Sequence, residues 1–354
     1  MNQKKILITG NLGYVGVELV KFLKKQDKNL FLIGYDVGYF KKNWFTQSLK
    51  KNKYIDHQIT SDIRANNFRS LSSLKIDTII HLAAVSNDPM GNFFIKPTRE
   101  INTIYTKKLI DWAKKNKVKK FIFASSCSVY GFSNNICNEN SKTNPLTEYA
   151  KSKLKIETYL KSRVSKKFKG ITLRFSTACG SSDMLRLDLV LNDFVASAIA
   201  TKKIKLLSDG NALRPLIDVV DMAKAFWWAE KYNKKIFECV NVGNDKMNYK
   251  IVDLAYLVKK SLPNAKISIN KLNADNRSYK ANFSKYKKLF SGYNKMKGAK
   301  YSISKLIKTI RKSKFKDKNF RSGNFMRLVS LKKQIEKKQI NKNLKILNDK
   351  RYYN

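Results

Sequence analysis

The sequence predicts an α/β protein: a doubly wound parallel sheet with a smaller, interleaved C-terminal domain. Three observations carry this. The first half alternates short apolar runs with longer amphipathic segments, the rhythm of strands joined by helical crossovers. The runs are nearly continuous in Ile, Leu, Val and Phe, as expected of strands covered by helices on both faces. A glycine-rich turn, Thr9-Gly10-Asn11-Leu12-Gly13-Tyr14-Val15-Gly16, joins the first run to the first amphipathic segment.

In chain order, the expected strands are Lys5 to Thr9, Leu30 to Tyr35, Tyr54 to Ile59, Thr78 to Leu82, Lys120 to Ala124 and Ile171 to Phe175. Helical patterns fall between them at Tyr14 to Lys24, Asn66 to Leu74, Thr98 to Lys115 and Glu148 to Ser165. Beyond Phe175 the rhythm changes. A loop containing Gly180, Ser181 and Ser182 precedes a helix from Leu187 to Ala200, a short strand at Ile217 to Val219 and a helix at Asp221 to Tyr232. Ile236 to Val242 reads as a strand and Ile251 to Lys260 as a helix. This divides the chain into a dinucleotide-binding domain over 1–175, to which 214–250 returns, and a second domain over 176–213 and 251–325. Residues 326–354 are expected to form a basic C-terminal tail. Apolar residues at Ile303, Leu306, Ile310 and Phe325 to Leu331 favour packing of much of the last sixty residues onto the body.

A chain of 354 residues can bury a substantial core, and its apolar and aromatic fractions are those of a globular protein. Four cysteines (Cys127, Cys137, Cys179 and Cys239) lack any metal-like spacing, so no metal site is expected and the thiols read as reduced. The N-terminus lacks a signal peptide's apolar segment, and no apolar stretch approaches the ~20 residues that cross a bilayer. A cytoplasmic protein is expected, with no membrane partner. The formal net charge of +47 would ordinarily point to nucleic acid. Lysine is spread over almost every expected solvent face, however, and no nucleic-acid motif is recognisable, so diffuse charge without a specific nucleic-acid partner is the reading.

The glycine turn has a specific chemistry. Gly10 permits the tight turn, Gly13 lets a pyrophosphate approach the backbone, and Gly16 allows close helix–strand packing. Tyr14 and Val15 lie within it. Asp36 ends the second strand about twenty residues further on, where a carboxylate accepts the ribose hydroxyls and repels a 2′-phosphate, favouring NAD over NADP. Asp62 and Ile63, after the third strand, are placed to meet adenine. Tyr149 and Lys153 lie four residues apart, on one face of a helix. A neighbouring ammonium favours the phenolate, so Lys153 is expected to lower the Tyr149 pKa from about 10 and fit it for proton exchange with a substrate hydroxyl.

The order and spacing of these motifs resemble the extended short-chain dehydrogenase/reductases, of the NAD-dependent epimerase/dehydratase kind that act on nucleotide sugars. The resemblance rests on the glycine turn, on His81-Leu82-Ala83-Ala84, on Ser125-Ser126-Cys127-Ser128-Val129-Tyr130-Gly131 and on Tyr149/Lys153. Leu213 to Val219 and Asp275-Asn276-Arg277-Ser278-Tyr279 extend it, so that it covers roughly residues 4 to 290. It implies a Rossmann domain, bound NAD, a nucleotide-diphosphate sugar as substrate and a homodimer formed through the helices at Thr98 and Glu148. It also implies that Ser126 holds the reacting sugar oxygen while Tyr149 moves the proton and Lys153 grips the nicotinamide ribose. By the same likeness Leu82, Ala83, Ala84 and Asn102 line the cofactor. Asn192, Arg214 and Arg277 would serve the substrate diphosphate, bidentate guanidinium–phosphate pairing being what such a site needs.

Two departures matter. Sugar-nucleotide 4,6-dehydratases of this kind carry Asp-Glu directly after the catalytic Ser/Thr, where this chain has Cys127 and Ser128. Neither is a useful general acid/base for water elimination, so dehydration is disfavoured. Thr177, on the substrate side, and Cys179 replace residues usual in galactose 4-epimerases, which leaves the sugar open. The expected activity is that of an NAD-dependent nucleotide-sugar epimerase, UDP-glucose 4-epimerase-like. A reductase or dehydratase of the same kind and a non-catalytic dinucleotide-binding protein remain as alternatives.

Overall fold

The computed structural model describes residues 3–41, 43, 45, 54–270 and 278–347. Its centre is a seven-stranded, all-parallel sheet. The strands are β1 (Lys5–Thr9), β2 (Phe31–Asp36), β3 (His57–Thr60), β4 (Thr78–His81), β5 (Lys120–Ser126), β7 (Lys169–Phe175) and β11 (Phe237–Val242), in the spatial order β11-β7-β5-β4-β1-β2-β3. The order reverses between β1 and β4. That crevice is where a doubly wound sheet binds its ligand.

Alternation along β1 shows how both faces are covered. Ile6 and Ile8 enter one core with Leu19 and Val20 of α1 (Tyr14–Gln26) and Phe226 of α7 (Val219–Lys231). Leu7 enters the opposite core with Leu109 and Ile110 of α4 (Thr106–Lys115) and Ile156 and Leu160 of α5 (Glu148–Arg163). All of these are fully buried, and each such side chain contributes on the order of 2 kcal/mol through removal of apolar area from water.

Some expected boundaries moved. The third strand runs from His57 to Thr60, displaced toward the C-terminus of the expected segment. Asn66–Leu74 forms 3-10 turns instead of an α-helix, with Phe68 at φ 63° and Lys75 at φ 48° interrupting the α geometry. The helix expected over Thr98–Lys115 divides into α3 (Ile95–Arg99), a π-helical run over Glu100–Tyr105, and α4. A shorter helix, α2 (Asp88–Phe93), precedes it. At the π segment the Thr106 hydroxyl donates to the Ile101 carbonyl at 3.0 Å, so a side chain enters the backbone ladder.

The smaller lobe contains a third core. It gathers Leu191, Phe194 and Val195 of α6 (Val190–Thr201), Leu254 and Val258 of α8 (Ile251–Ser261), and Ile303, Leu306 and Ile310 of α10 (Ala299–Lys312). Three small sheets join it to the body. They are β12-β10-β8 (Asn248–Lys250, Leu213–Asp218, Thr177–Cys179), β13-β9 (Lys266–Ile269, Lys203–Leu206) and β14-β6 (Lys280–Ala281, Ile136–Cys137). A further short helix, α9, spans Ser284–Leu289.

Residues 326–347 are not a tail. Helix α11 (Arg327–Glu336) and the bridge Ile340–Ile346 lie against the large sheet's lobe, with Leu331, Ile340 and Leu344 buried beside Ile33, Tyr35 and Ile63. Apolar side chains at these positions outweigh the segment's positive charge; Lys337 and Lys338 stay exposed, whereas Arg327 is buried. Polar ties hold the segment down: Asn43 Nδ2 donates to Ser330 Oγ at 3.1 Å and Gln334 Nε2 to the Tyr39 carbonyl at 3.0 Å.

Candidate active site

The C-terminal ends of β1, β2, β4, β5 and β7 open into one cavity of about 340 Å³. Its dinucleotide end is built by the glycine turn. Gly10 has φ 74°, and a Cβ there would stand 2.8 Å from the Ala83 nitrogen, so only glycine lets β1 and the segment after β4 meet. Gly13 caps α1 without a side-chain hydrogen bond, and the first turn of α1 holds no acidic residue. The helix's N-terminal donors therefore face the cavity unclaimed by side chains, an arrangement suited to a diphosphate.

Asp36 lies beside this turn, its carboxylate accepting from the Leu12 nitrogen at 3.1 Å and from the Gly38 nitrogen at 2.7 Å. Burial raises its pKa, against the pull of these donors and of Arg327. Val15, Ile63, Leu82, Ala83 and Ala84 line the cavity. Tyr14 also lines it, and its hydroxyl donates to the Gly180 carbonyl at 2.7 Å, tying the turn to the smaller lobe.

Asp62 borders the cavity, but its carboxylate is already held by Arg64, with Nη2 at 2.7 Å and Nε at 3.0 Å. Asn102 is a correction. Its amide cross-links Val85, accepting from N at 2.8 Å and donating to O at 3.1 Å, and reaches Ser152 Oγ at 3.2 Å. With 3% exposure and its donors and acceptor engaged, it braces the wall instead of facing a ligand.

Ser126, Tyr149 and Lys153 line the same cavity. Ser126 ends β5, where its hydroxyl accepts from the Ser128 nitrogen at 3.1 Å. Thr147 caps α5 by accepting from the Ala150 nitrogen at 3.1 Å, which aims the first turn, and Tyr149 with it, into the cavity. Lys153, one turn on, is 4% exposed and donates to the Ala124 carbonyl at 2.7 Å.

The electrostatics reverse the sequence expectation. The Tyr149 pKa is raised, by burial first and then by the nearby Asp88 carboxylate; Ser126 and Arg186 pull it back only in part. Burial also lowers Lys153, to about 7. Enclosure disfavours the charged form of each group.

Thr177 and Arg214, expected on the substrate side, also line the cavity, with Arg214 over the Tyr279 ring at 5.9 Å. Arg277 lies outside the described residues. Asn192 is a second correction. It is fully buried, accepting from the Gly180 nitrogen at 2.9 Å and donating to the Arg186 carbonyl at 2.9 Å, so it shapes the loop below the cavity instead of meeting a diphosphate.

Three charged lining residues were not foreseen: Asp88, Arg186 and Arg327. Arg186 chelates Asp188, with Nε at 3.0 Å and Nη2 at 2.8 Å, and Asn87 also binds that carboxylate at 3.0 Å. The available signal was the rarity of arginine in a lysine-rich chain, which singled out Arg214 and Arg277 but applies equally to 186 and 327. Among the described residues no cluster of His, Cys, Asp or Glu is arranged to hold a metal ion, and no helix is long and apolar enough to cross a membrane.

Fold and site together define a short-chain dehydrogenase/reductase of the extended kind, with NAD as its cofactor. The N-terminus of α1, which no side chain caps, the close contact at Gly10 and a guanidinium nitrogen of Arg327 without a partner among the described residues fit that dinucleotide. The chain belongs to the NAD dependent epimerase/dehydratase family, whose profile matches residues 6–243.

Among relatives it is 30% identical over 249 residues to the uncharacterized UDP-glucose epimerase YtcB of Bacillus subtilis, covering 68% of this chain and 76% of that one. It is 26% identical over 261 residues to the dTDP-D-glucose 4,6-dehydratase of Homo sapiens, covering 71% and 72%. The UDP-glucuronic acid 4-epimerase of Bacillus cereus, solved with UDP-glucuronic acid and NAD, superposes with a TM-score of 0.75 at 24% identity, over 87% of this chain and 99% of that one.

Proposed function

We propose that this chain is an NAD-dependent nucleotide-sugar 4-epimerase, of the UDP-glucose/UDP-galactose type. The observation that carries the reading is that Tyr149, Ser126 and Lys153 line the same cavity as the glycine turn, with no carboxylate following Ser126. NAD, when bound, supplies the acceptor and donor of the hydride. Ser126 would hold the sugar hydroxyl, and Tyr149 would take its proton as the carbon is oxidised and return it after the keto sugar has turned its other face. Lys153, in the next turn of α5, would grip the nicotinamide ribose. Arg214 would pair with the substrate diphosphate. Positioning accounts for most of the acceleration, because hydroxyl, proton acceptor and cofactor are held side by side.

The residues after Ser126 argue against elimination. Cys127 is fully buried, its Sγ donating to the Arg174 carbonyl at 3.1 Å, and burial pushes its thiol pKa upward. Asp88, the carboxylate near Tyr149, is engaged by the Thr147 hydroxyl at 2.5 Å. A homodimer belongs to the same reading, supported by exposed Phe93 and Ile95 on the helices preceding the π segment.

The test is incubation of the purified protein with a panel of nucleotide sugars, without added cofactor, and NMR analysis of the products. An epimer pair at equilibrium supports the reading. Turnover only with stoichiometric NADH would replace it with a reductase, and loss of water with a dehydratase.

A further inference from the structure

Arg327 is the first residue of α11, well beyond the segment that matches the family profile. It is 2% exposed and yet lines the cavity. Its guanidinium lies over the Phe40 ring at 4.0 Å, and Nη2 donates to the Met184 carbonyl at a long 3.3 Å. Nη1 is buried with no hydrogen-bond partner among the described residues. An unmatched donor on a buried cation is costly, and an anion is the group that relieves it.

The neighbouring carboxylates are committed elsewhere. Asp36 receives the Leu12 and Gly38 nitrogens, and Asp188 is chelated by Arg186 and bound by Asn87. Arg327 forms no ion pair among the described residues, while Arg186 nearby adds a second positive charge. The same cavity contains the N-terminus of α1, whose donors no side chain caps. A fork-shaped cation and a set of helix N–H groups converging on one space match a diphosphate.

The segment carrying Arg327 is fastened to the dinucleotide half of the cavity. Arg64 donates to the carbonyls of Asn343 at 2.7 Å and Leu344 at 2.9 Å, and Leu331 and Leu344 themselves line the space near Asp36.

We propose that Arg327 is a phosphate-binding residue of the dinucleotide site, delivered by the C-terminal helix and pairing with the diphosphate bridge at the N-terminus of α1. This deepens the functional reading and rests on its cofactor, not on its sugar.

The experiment is titration calorimetry of nucleotide-stripped protein with NAD, ADP and adenosine, comparing wild type with Arg327→Met and Arg327→Lys. In Arg327→Met, affinity for NAD and ADP falls roughly ten- to a hundredfold while adenosine binding changes by less than about threefold. Arg327→Lys recovers part of the loss. A folded Arg327→Met protein that binds NAD as wild type does overturns the proposal, and so does an equal loss for adenosine and ADP.

Should Arg327→Met fail to fold, amide hydrogen exchange on the wild type decides. ADP slows exchange across Arg327–Glu336 and adenosine does not; equal protection by both overturns the assignment. Wild-type protein that binds no NAD would instead sink the cofactor reading, whereas NAD binding indifferent to Arg327 sinks this inference alone.

Discussion

Lys153 donates to the Ala124 carbonyl at 2.7 Å, while its Nζ stands 5.4 Å from the centroid of the Tyr149 ring. The lysine is thus anchored to the strand that carries Ser126, and its charge is shared among a carbonyl dipole and the faces of Phe123 and Tyr149. That placement explains why a proton-exchange pair on one helix face does not by itself yield an acidic phenol. In the proposed cycle the phenol must be tuned by what fills the cavity.

Tyr149→Phe removes the proton acceptor and leaves the cavity walls in place. Turnover of nucleotide sugar is expected to fall by at least about a thousandfold, with NAD affinity within a few-fold of wild type. Product NMR and calorimetry on one preparation check both halves. An active variant would refute the mechanism.

The buried Lys153 gives the cofactor-free protein a pH signature. Its folded pKa, lowered to about 7, lies below the ordinary value of about 10.5, so between these pH values the unfolded chain binds the extra proton. Stability from this group therefore rises with pH through that window, and the penalty of a buried ammonium is fully present below it. Compared with Lys153→Met, the wild type should gain on the order of a few kcal/mol as pH climbs from 6.5 to 10. Urea midpoints of both proteins across that range test the sign; a constant difference would contradict it.

Asp36 ends β2 at the cavity, its carboxylate accepting from the Leu12 and Gly38 nitrogens. Asp36→Ser is expected to weaken NAD about tenfold and to narrow the preference over NADP, because the carboxylate that accepts the ribose hydroxyls and repels a 2′-phosphate is gone. Competitive titration of the two cofactors measures this.

Gly16 has no room for a methyl group: a Cβ would fall 2.3 Å from the Gly10 oxygen and 2.6 Å from the Asn11 Cα. These are backbone atoms of the turn itself. Gly16→Ala should cost about 3 kcal/mol in denaturant unfolding and abolish NAD binding together with it.

Arg64 joins the buried Asp62 carboxylate to the carbonyls at 343 and 344. Arg64→Met strands Asp62 and releases the C-terminal segment, at a cost of about 3 kcal/mol. Limited proteolysis should then cut within 326–347 well before the rest of the chain; unchanged resistance there would show that the apolar contacts of Leu331 and Leu344 suffice.

Local chemistry made much of this legible in the sequence. Strands buried on both faces announce themselves as apolar runs, and β1, β2, β4, β5, β7 and β11 lie within a residue or two of their expected places. Gly10 and Gly16 were readable because their function depends on a missing side chain at a fixed distance along the chain. Asn102 and Asn192 were misread for the opposite reason. An amide looks the same in sequence whether it meets a ligand or a backbone, and only packing shows that Val85, Gly180 and Arg186 already use them.

By itself, then, the sequence determined the class of fold, because strands and helices are written in spacing along the chain, and it named as candidates the glycine turn and the trio of Tyr149, Lys153 and, through the family likeness, Ser126. Only the tertiary structure decided how that trio is charged and what closes the cofactor's side of the cavity. Burial depends on every neighbour at once, so it raised Tyr149 and lowered Lys153 against the expectation from the pair alone. Arg327, remote in sequence, came to the cavity because Leu331, Ile340 and Leu344 found apolar partners on the large sheet's lobe, a long-range match that no local pattern encodes.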